Sequence, residues 1–447
     1  MGMKFRVLVG AATAFAALSL TACGGSSGGG ANGSKSDAAQ GAAEDAGQGA
    51  APTAAPKEPV PAAFDNTKGW ETKDDEHELS GPVISEEAGL VLLRWHERGG
   101  KTARVVAKDA KTGQVRWSTK PLVRPEEPKS GRPVDSQVLL ARGGTKEYAV
   151  LAVTGVEGGD GVNIASPVTR LAVYDIASSG DAAEPLRQIS VPGTATGLTA
   201  QRELGVVTVV SDQGVSLVDV ASGRVITYDG DHPALKSPKP CRQLTGTCDS
   251  RRVTVAGQTP AGPLVQGYGA FWAGGWFSGD VVPADAVPEH GGRTVEASSL
   301  PNGDALASWP DKEGSAETNV YAVHDGKTGK VRASVACANE RDSAVTPTVS
   351  GDGRYVLAGR VVIDLQAGKG HCFEQTSTRK AITVSTVDKD GTAHGETAES
   401  PAAIDLSSGK ASPLPEGTLL PDVIGADVAV FGTTTAGGES ILVYPRR

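Results

Sequence analysis

The chain has 447 residues and a formal net charge of −9, with no block of Lys or Arg outside its first few positions. That balance argues against nucleic acid, and against an anionic surface held through a basic face. Neither His-Glu-x-x-His nor Gly-x-Ser-x-Gly in a strand-to-helix setting is present, so two common hydrolase signatures are missing.

Lys4 and Arg6 open the chain, followed by an apolar run from Val7 to Leu20 and then Leu20-Thr-Ala-Cys23. A basic start, a short apolar core and small residues before a break describe a secretory signal. The run is shorter than the roughly 20 residues a membrane-spanning helix needs. Leu-Thr-Ala-Cys resembles the bacterial lipobox, which implies that Cys23 is acylated and becomes the mature N-terminus. The expectation is a signal peptide over 1–22 and a lipid anchor on the extracytoplasmic face of the cell membrane. Residues 23–63 are rich in Gly, Ala, Ser and Pro without apolar periodicity, the composition of a disordered tether.

From 64 to 447 one pattern recurs. Asp109-Ala-Lys-Thr-Gly-Gln-Val-Arg-Trp117 reads as strand, turn, strand, because Gly113 is free to take the positive φ of a tight turn. Related strings place an Asp at 175, 219, 325, 364 and 405, with steps of 66, 44, 106, 39 and 41 residues. Short strands at a period near 40 residues mark a propeller or solenoid. Blades of four antiparallel strands fit residues 82–120, the second blade with an insertion at 157–167, and then 196–228. An irregular fourth blade spans 233–287. Residues 294–338, 344–376 and 382–418 follow. The last stretch, 423–444, supplies three strands, and residues 64–71 with Trp70 are the candidate for the fourth. Pairing an N-terminal strand into the last blade would close the ring and remove an exposed sheet edge. The expected fold is an all-β, eight-bladed β-propeller, or seven blades if the fourth segment is a loop excursion.

The Asp-x-x-Thr-Gly-x-x-x-Trp form, repeated with a closing N-terminal strand, resembles the pyrroloquinoline-quinone-like propellers over nearly all of 64–447. Quinoprotein dehydrogenases of that fold use adjacent cysteines, a Ca²⁺-binding carboxylate cluster and a catalytic Asp. This chain has no adjacent cysteines and no matching cluster, so no cofactor, no metal and no catalytic residue is expected. Val387-Asp-Lys-Asp-Gly-Thr392 resembles half of a Ca²⁺ loop but lacks the later ligands, and reads as a charged hairpin turn.

Four cysteines follow Cys23. An even number in an exported chain suggests disulfides, Cys241 with Cys248 and Cys337 with Cys372. Tyr268, Phe271, Trp272, Trp276 and Phe277 concentrate aromatics in ten residues, and are candidates for contact or for packing between blades. Trp95 and Trp309, each at the end of a second strand, are weaker candidates. The expected role is a non-enzymatic scaffold for another envelope or secreted protein. The alternatives are a hydrolase or lactonase with its site in the axial channel, and a small-ligand sensor.

Overall fold

A computed structural model describes residues 52–73, 77–97, 101–126, 136–160, 162–239, 253–290, 292–315, 317–338, 346–435 and 438–447. The leader, Cys23, Cys241 and Cys248 lie outside the described residues. Within them the chain forms eight antiparallel blades in a ring, each with four core strands.

Blade 1 runs His77–Ser85, Leu90–Glu97, Thr102–Asp109 and Val115–Thr119, from the axis outward. Blade 2 is Gln137–Gly143, Lys146–Glu157, Ser166–Asp175 and Arg187–Pro192. Blade 3 is Ala195–Gln201, Val206–Ser211, Gly214–Asp219 and Val225–Tyr228. The irregular fourth segment is a true blade of short strands, Thr254–Thr259, Gly262–Gly267, Ala270–Ala273 and Trp276–Phe277. Blades 5 to 7 begin at Glu296–Ser299, Thr348–Val349 and Thr383–Val387. Blade 8 takes Val423–Ile424, Val428–Thr435 and Gly438–Pro445 from the end of the chain, and Trp70–Lys73 as its outer strand. Trp70 sits opposite Val443 and Lys73 opposite Ser440, so the ring closes through the N-terminal strand.

Residues 52–63, assigned to the tether on composition, belong in part to this closure. Thr53–Ala54 pairs outside Trp70–Lys73, and the Tyr444 hydroxyl donates to the Pro56 carbonyl. The Leu419 amide donates to Pro59 O at 2.8 Å. Low apolar content did not prevent ordering here, because a sheet edge supplies backbone partners that need no side-chain pattern. A second edge is covered in the same way: Gly180–Ala183, from the connection before the last strand of blade 2, lies parallel to the outer strand of blade 1.

The core is a series of apolar layers between neighbouring blades. Successive residues of a strand serve alternate layers. Leu151 and Val153 pack toward blade 1 with Leu92 and Val105, whereas Val150 and Ala152 pack toward blade 3 with Val207 and Val218. Strands buried on both faces read as continuous apolar runs, which is why Tyr148-Ala-Val-Leu-Ala-Val153 shows no alternation in sequence.

Outer strands are fastened to the next blade at one recurrent point. Trp117 Nε1 donates to Ile176 O at 3.0 Å, one residue past Asp175. Trp70 Nε1 donates to Ala110 O at 3.0 Å, one residue past Asp109, and Trp276 Nε1 to Gly326 O at 3.3 Å, one past Asp325. Arg187 Nη1 does the same to Val220 O at 3.0 Å, one past Asp219. The turn aspartates fold the loops that present these carbonyls. Asp109 Oδ1 accepts the amides of Lys111 and Thr112, Asp325 that of Thr328, and Asp405 that of Ser407. Bonds from the Ser407 and Ser408 hydroxyls, with the Ser407 amide, hold the Asp405 carboxyl at about 2. Between blades 5 and 6 the fastening is covalent, Cys337–Cys372, with Cα atoms 5.5 Å apart.

Candidate binding surfaces

Turns between first and second strands, and between third and fourth, share one face of the ring, the turn face. Second-to-third connections and the links between blades share the other, the loop face.

The inner strands carry mostly small, hydroxyl and aliphatic residues, with His77, Glu78, Gln137, Arg142, Gln258 and Glu296 among them. Gln201 of blade 3 is fully buried; its Nε2 donates to Ser299 Oγ of blade 5 at 3.0 Å, and its Oε1 accepts from Thr208 at 2.7 Å. The pair meets over Gly257 of blade 4, at φ +127°, where a Cβ would stand 1.7 Å from Ser299 Oγ. Only glycine fits that approach.

The turn face is dominated by ion pairs that join blades. Glu147 of blade 2 is buried and accepts from Ser85 Oγ of blade 1 and from Arg202 of blade 3, whose Nε lies at 2.9 Å. Arg142 reaches both Glu87 of blade 1 at 3.1 Å and Glu203 of blade 3 at 3.5 Å. Asp388 is also buried; its Oδ1 accepts the amides of Asp390 and Thr392, and its Oδ2 lies 3.6 Å from Arg446 and 3.9 Å from His394. The half-loop that resembled a Ca²⁺ site is thus a turn folded on its own carboxylate, although burial opposes the charge it keeps. A recess of about 580 Å³ opens nearby, and its Lys111 and Arg446 already pair with Asp427 and Asp390.

The aromatic candidates lie in the core. Phe271 and Trp276 face blade 5 with Trp309, while Trp272 and Phe277 face blade 3 with Tyr228 and Leu235. Phe271 meets Trp276, Trp309 and His324 edge-on at 5.7, 5.6 and 5.4 Å between ring centres. Trp309 Nε1 donates to His324 Nε2 at 3.3 Å, and His324 Nδ1 lies 2.8 Å from Gly329 O. This chain of bonds fixes the neutral tautomer with its proton on Nδ1, and burial holds the imidazole at about 4. Tyr268 is half-buried at φ +55°, in the turn ahead of these strands. Trp95 is half-buried beneath the Arg104 guanidinium, 3.5 Å from its ring centre. The buried aromatics thus fill two apolar layers between blades, the packing alternative of the sequence reading.

Cys337, Cys372 and Glu374 bring potential metal-ligand atoms together among the described residues. The sulfurs are spent on each other, and Glu374 accepts the Ala338 amide at 2.7 Å, so the group is structural.

The loop face offers open surface. A groove of about 740 Å³ lies between blades 6 and 7. One wall is the link between these blades, with Gln375, Ser377 and Lys380; the other is the Thr397–Ser400 turn of blade 7 with Glu399. Arg379 secures the first wall. Its Nη2 donates to Cys372 O at 3.0 Å and Glu374 O at 3.3 Å, and its guanidinium lies 5.2 Å from the Phe373 ring. Lys380 and Glu399 pair across the groove. Its residues are single polar side chains on two separate loops, which no linear motif marks.

No protein-family model matches the chain, and no curated protein sequence does. Solved structures are similar at low level. The Porphyromonas gingivalis dipeptidyl peptidase 4 aligns with a TM-score of 0.43 and 10% identity, over 83% of this chain and 58% of that one. This chain therefore spans under two thirds of the peptidase. An oligogalacturonate lyase in complex with manganese aligns with a TM-score of 0.37 and 10% identity, over 89% and 97%. The AfRom2 CNH domain gives 0.32 and 9%, over 85% and 84%.

Proposed function

We propose that this chain is a lipid-anchored, extracytoplasmic β-propeller that works as a non-enzymatic binding or assembly scaffold at the cell envelope. The leader and Leu20-Thr-Ala-Cys23 support the anchor. The Asp109–Trp117 form, repeated in part along the chain with a closing N-terminal strand, supports kinship with the pyrroloquinoline-quinone-like propellers. The observation that carries the scaffold reading is the open groove between blades 6 and 7, walled by polar groups on two adjacent loops. A surface of this kind suits an extended segment of another envelope protein, met through backbone and side-chain hydrogen bonds. Channel catalysis by a hydrolase or lactonase would need acids or imidazoles converging on the axis. Gln201 and Ser299, on the inner strands of blades 3 and 5, are instead spent on each other.

A photo-crosslinking residue at Ser377 or Ala398, in the groove walls, tests this in intact cells. The same residue at Lys327, an exposed turn-face position, is the control. One envelope protein recovered from the groove positions alone is the expected result. Equal recovery from Lys327, or none from the groove, would remove the scaffold reading. The purified protein would then be assayed against hydrolase substrates.

A further inference from the structure

The insertion in blade 2 has no part in the groove or the core. Its two strands, Lys146–Glu157 and Ser166–Asp175, pair without interruption from Tyr148 opposite Asp175 to Glu157 opposite Ser166. At twelve residues the first of them outruns the second strands of the other blades and carries the hairpin beyond the loop face. The base is held firmly. Arg170 pairs with Glu157 at 2.6 Å, and Glu126 from the preceding link bridges to Val156. Beyond that base Asp160 consumes its own carboxylate, accepting the amides of Val162 and Asn163 at 2.7 Å each and the Asn163 side-chain amide at 2.7 Å. The fold that results turns two β-branched side chains outward, Val162 at 92% exposure and Ile164 at 93%. Val123, in the link that runs along the hairpin base, is 59% exposed.

We infer that this tip dips into the lipid bilayer to which the chain is anchored and orients the propeller on it, an inference that rests on the lipid-anchor reading. Three observations favour lipid over a protein partner. Thr53 lies opposite Glu71 and Ala54 opposite Trp70, so the first described strand enters blade 8 from the loop face, the face from which the hairpin projects. Two or three aliphatic side chains cover far less than the roughly 800 Å² per partner of a stable protein interface. A tether supplies an effective concentration on the order of millimolar, at which so small an apolar contact is enough. Blade 2 stands across an eight-membered ring from blade 6.

The test places a reporter at the tip of the full chain. Ile164→Trp is prepared in the acylated protein and in a Cys23→Ala background, and mixed with phosphatidylcholine vesicles carrying brominated acyl chains. Quenching of the added fluorescence by about half, relative to unbrominated vesicles, with the native tryptophans unaffected, is the expected result. Val162→Asp in the same protein should abolish it. With the Cys23→Ala chain the quenching should persist at high vesicle concentration with an apparent affinity at least tenfold weaker. Acylated protein that sediments with vesicles but shows no quenching overturns the inference and leaves the anchor intact. Quenching without any membrane fractionation that depends on Cys23 upholds the tip contact and removes the anchor. Capture of a protein, rather than lipid, from a photo-crosslinker at Val162 also overturns it.

Discussion

The Trp70 indole covers the turn at Gly113 and donates from Nε1 to Ala110 O at 3.0 Å, so the strand that closes the ring is fastened to blade 1 as well as to blade 8. Gly113 is at φ +71°, and a Cβ there would meet the indole at 2.6 Å. Trp70→Ala should cost about 3–5 kcal/mol, from lost burial and the cavity left behind. Trp70→Phe, which removes the donor and part of the ring, should cost about 1–2 kcal/mol. Urea unfolding followed by near-ultraviolet circular dichroism measures both; an unchanged midpoint for Trp70→Ala would show that closure rests on backbone pairing alone.

The covalent tie between blades 5 and 6 predicts sensitivity to reduction. Cys337 and Cys372 are 35 residues apart, and a closed loop of that size is worth about 3–4 kcal/mol through the unfolded chain. The Cys337→Ser/Cys372→Ser protein should unfold at correspondingly lower denaturant, and a reducing agent should lower the parent midpoint by more than that of the double variant, which keeps only the expected Cys241–Cys248 pair.

Glu147 joins three blades. Glu147→Gln should destabilise by about 3 kcal/mol, because Arg202 is left largely buried without its counter-charge. Arg202→Met alone should cost a similar amount, and the double variant less than the sum. Strict additivity in that cycle would show that the two side chains do not act as a pair.

His324 predicts acid sensitivity with a definite sign. Its pKa is lowered to about 4 by burial, against roughly 6.5 in the unfolded chain. Between those values the unfolded state binds the extra proton. The contribution is therefore complete above about pH 6.5 and is lost as pH falls toward 4, by about 3 kcal/mol in all. His324→Leu should melt lower at pH 7.5, because Trp309 loses its acceptor, yet lose less on going to pH 4.5. A parallel acid dependence in the two proteins would place the titration elsewhere.

Burial also predicts the behaviour of the aromatic run. Trp272→Ala and Trp276→Ala should each lower stability by about 3–5 kcal/mol. Crosslinking from the groove should persist at temperatures where either variant stays folded. Loss of crosslinking in a fully folded Trp276→Ala protein would give this stretch a contact role.

Much of the architecture was legible along the chain because its causes are local. An Asp that accepts backbone amides and a Gly at positive φ make a turn wherever they stand four residues apart, and the spacing of such turns gave the blades and their order. The irregular fourth segment was harder, since its turns are Tyr268-Gly269 and Gly274-Gly275 rather than the Asp form. Its membership in the ring is set by pairing with Thr254–Thr259 and Gly262–Gly267. Trp70 and Trp276 lie outside the written motif, one because the closing strand belongs to the last blade, the other because its blade lacks the Asp turn.

What the sequence determined by itself was periodicity: seven or eight sets of short strands, a closing strand, and a cysteine pair one repeat apart. What only the tertiary structure decided was which side chains face outward. A strand buried on both faces hides alternate residues in two different layers, so Phe271, Trp272 and Trp276 disappear into the core although nothing in their spacing says so. Val162 and Ile164, in a segment that read only as a Gly-rich insertion, end outside because twelve paired residues carry them past the face of the ring. Exposure is a property of what the rest of the fold places alongside a residue, and that is settled between blades, not within one.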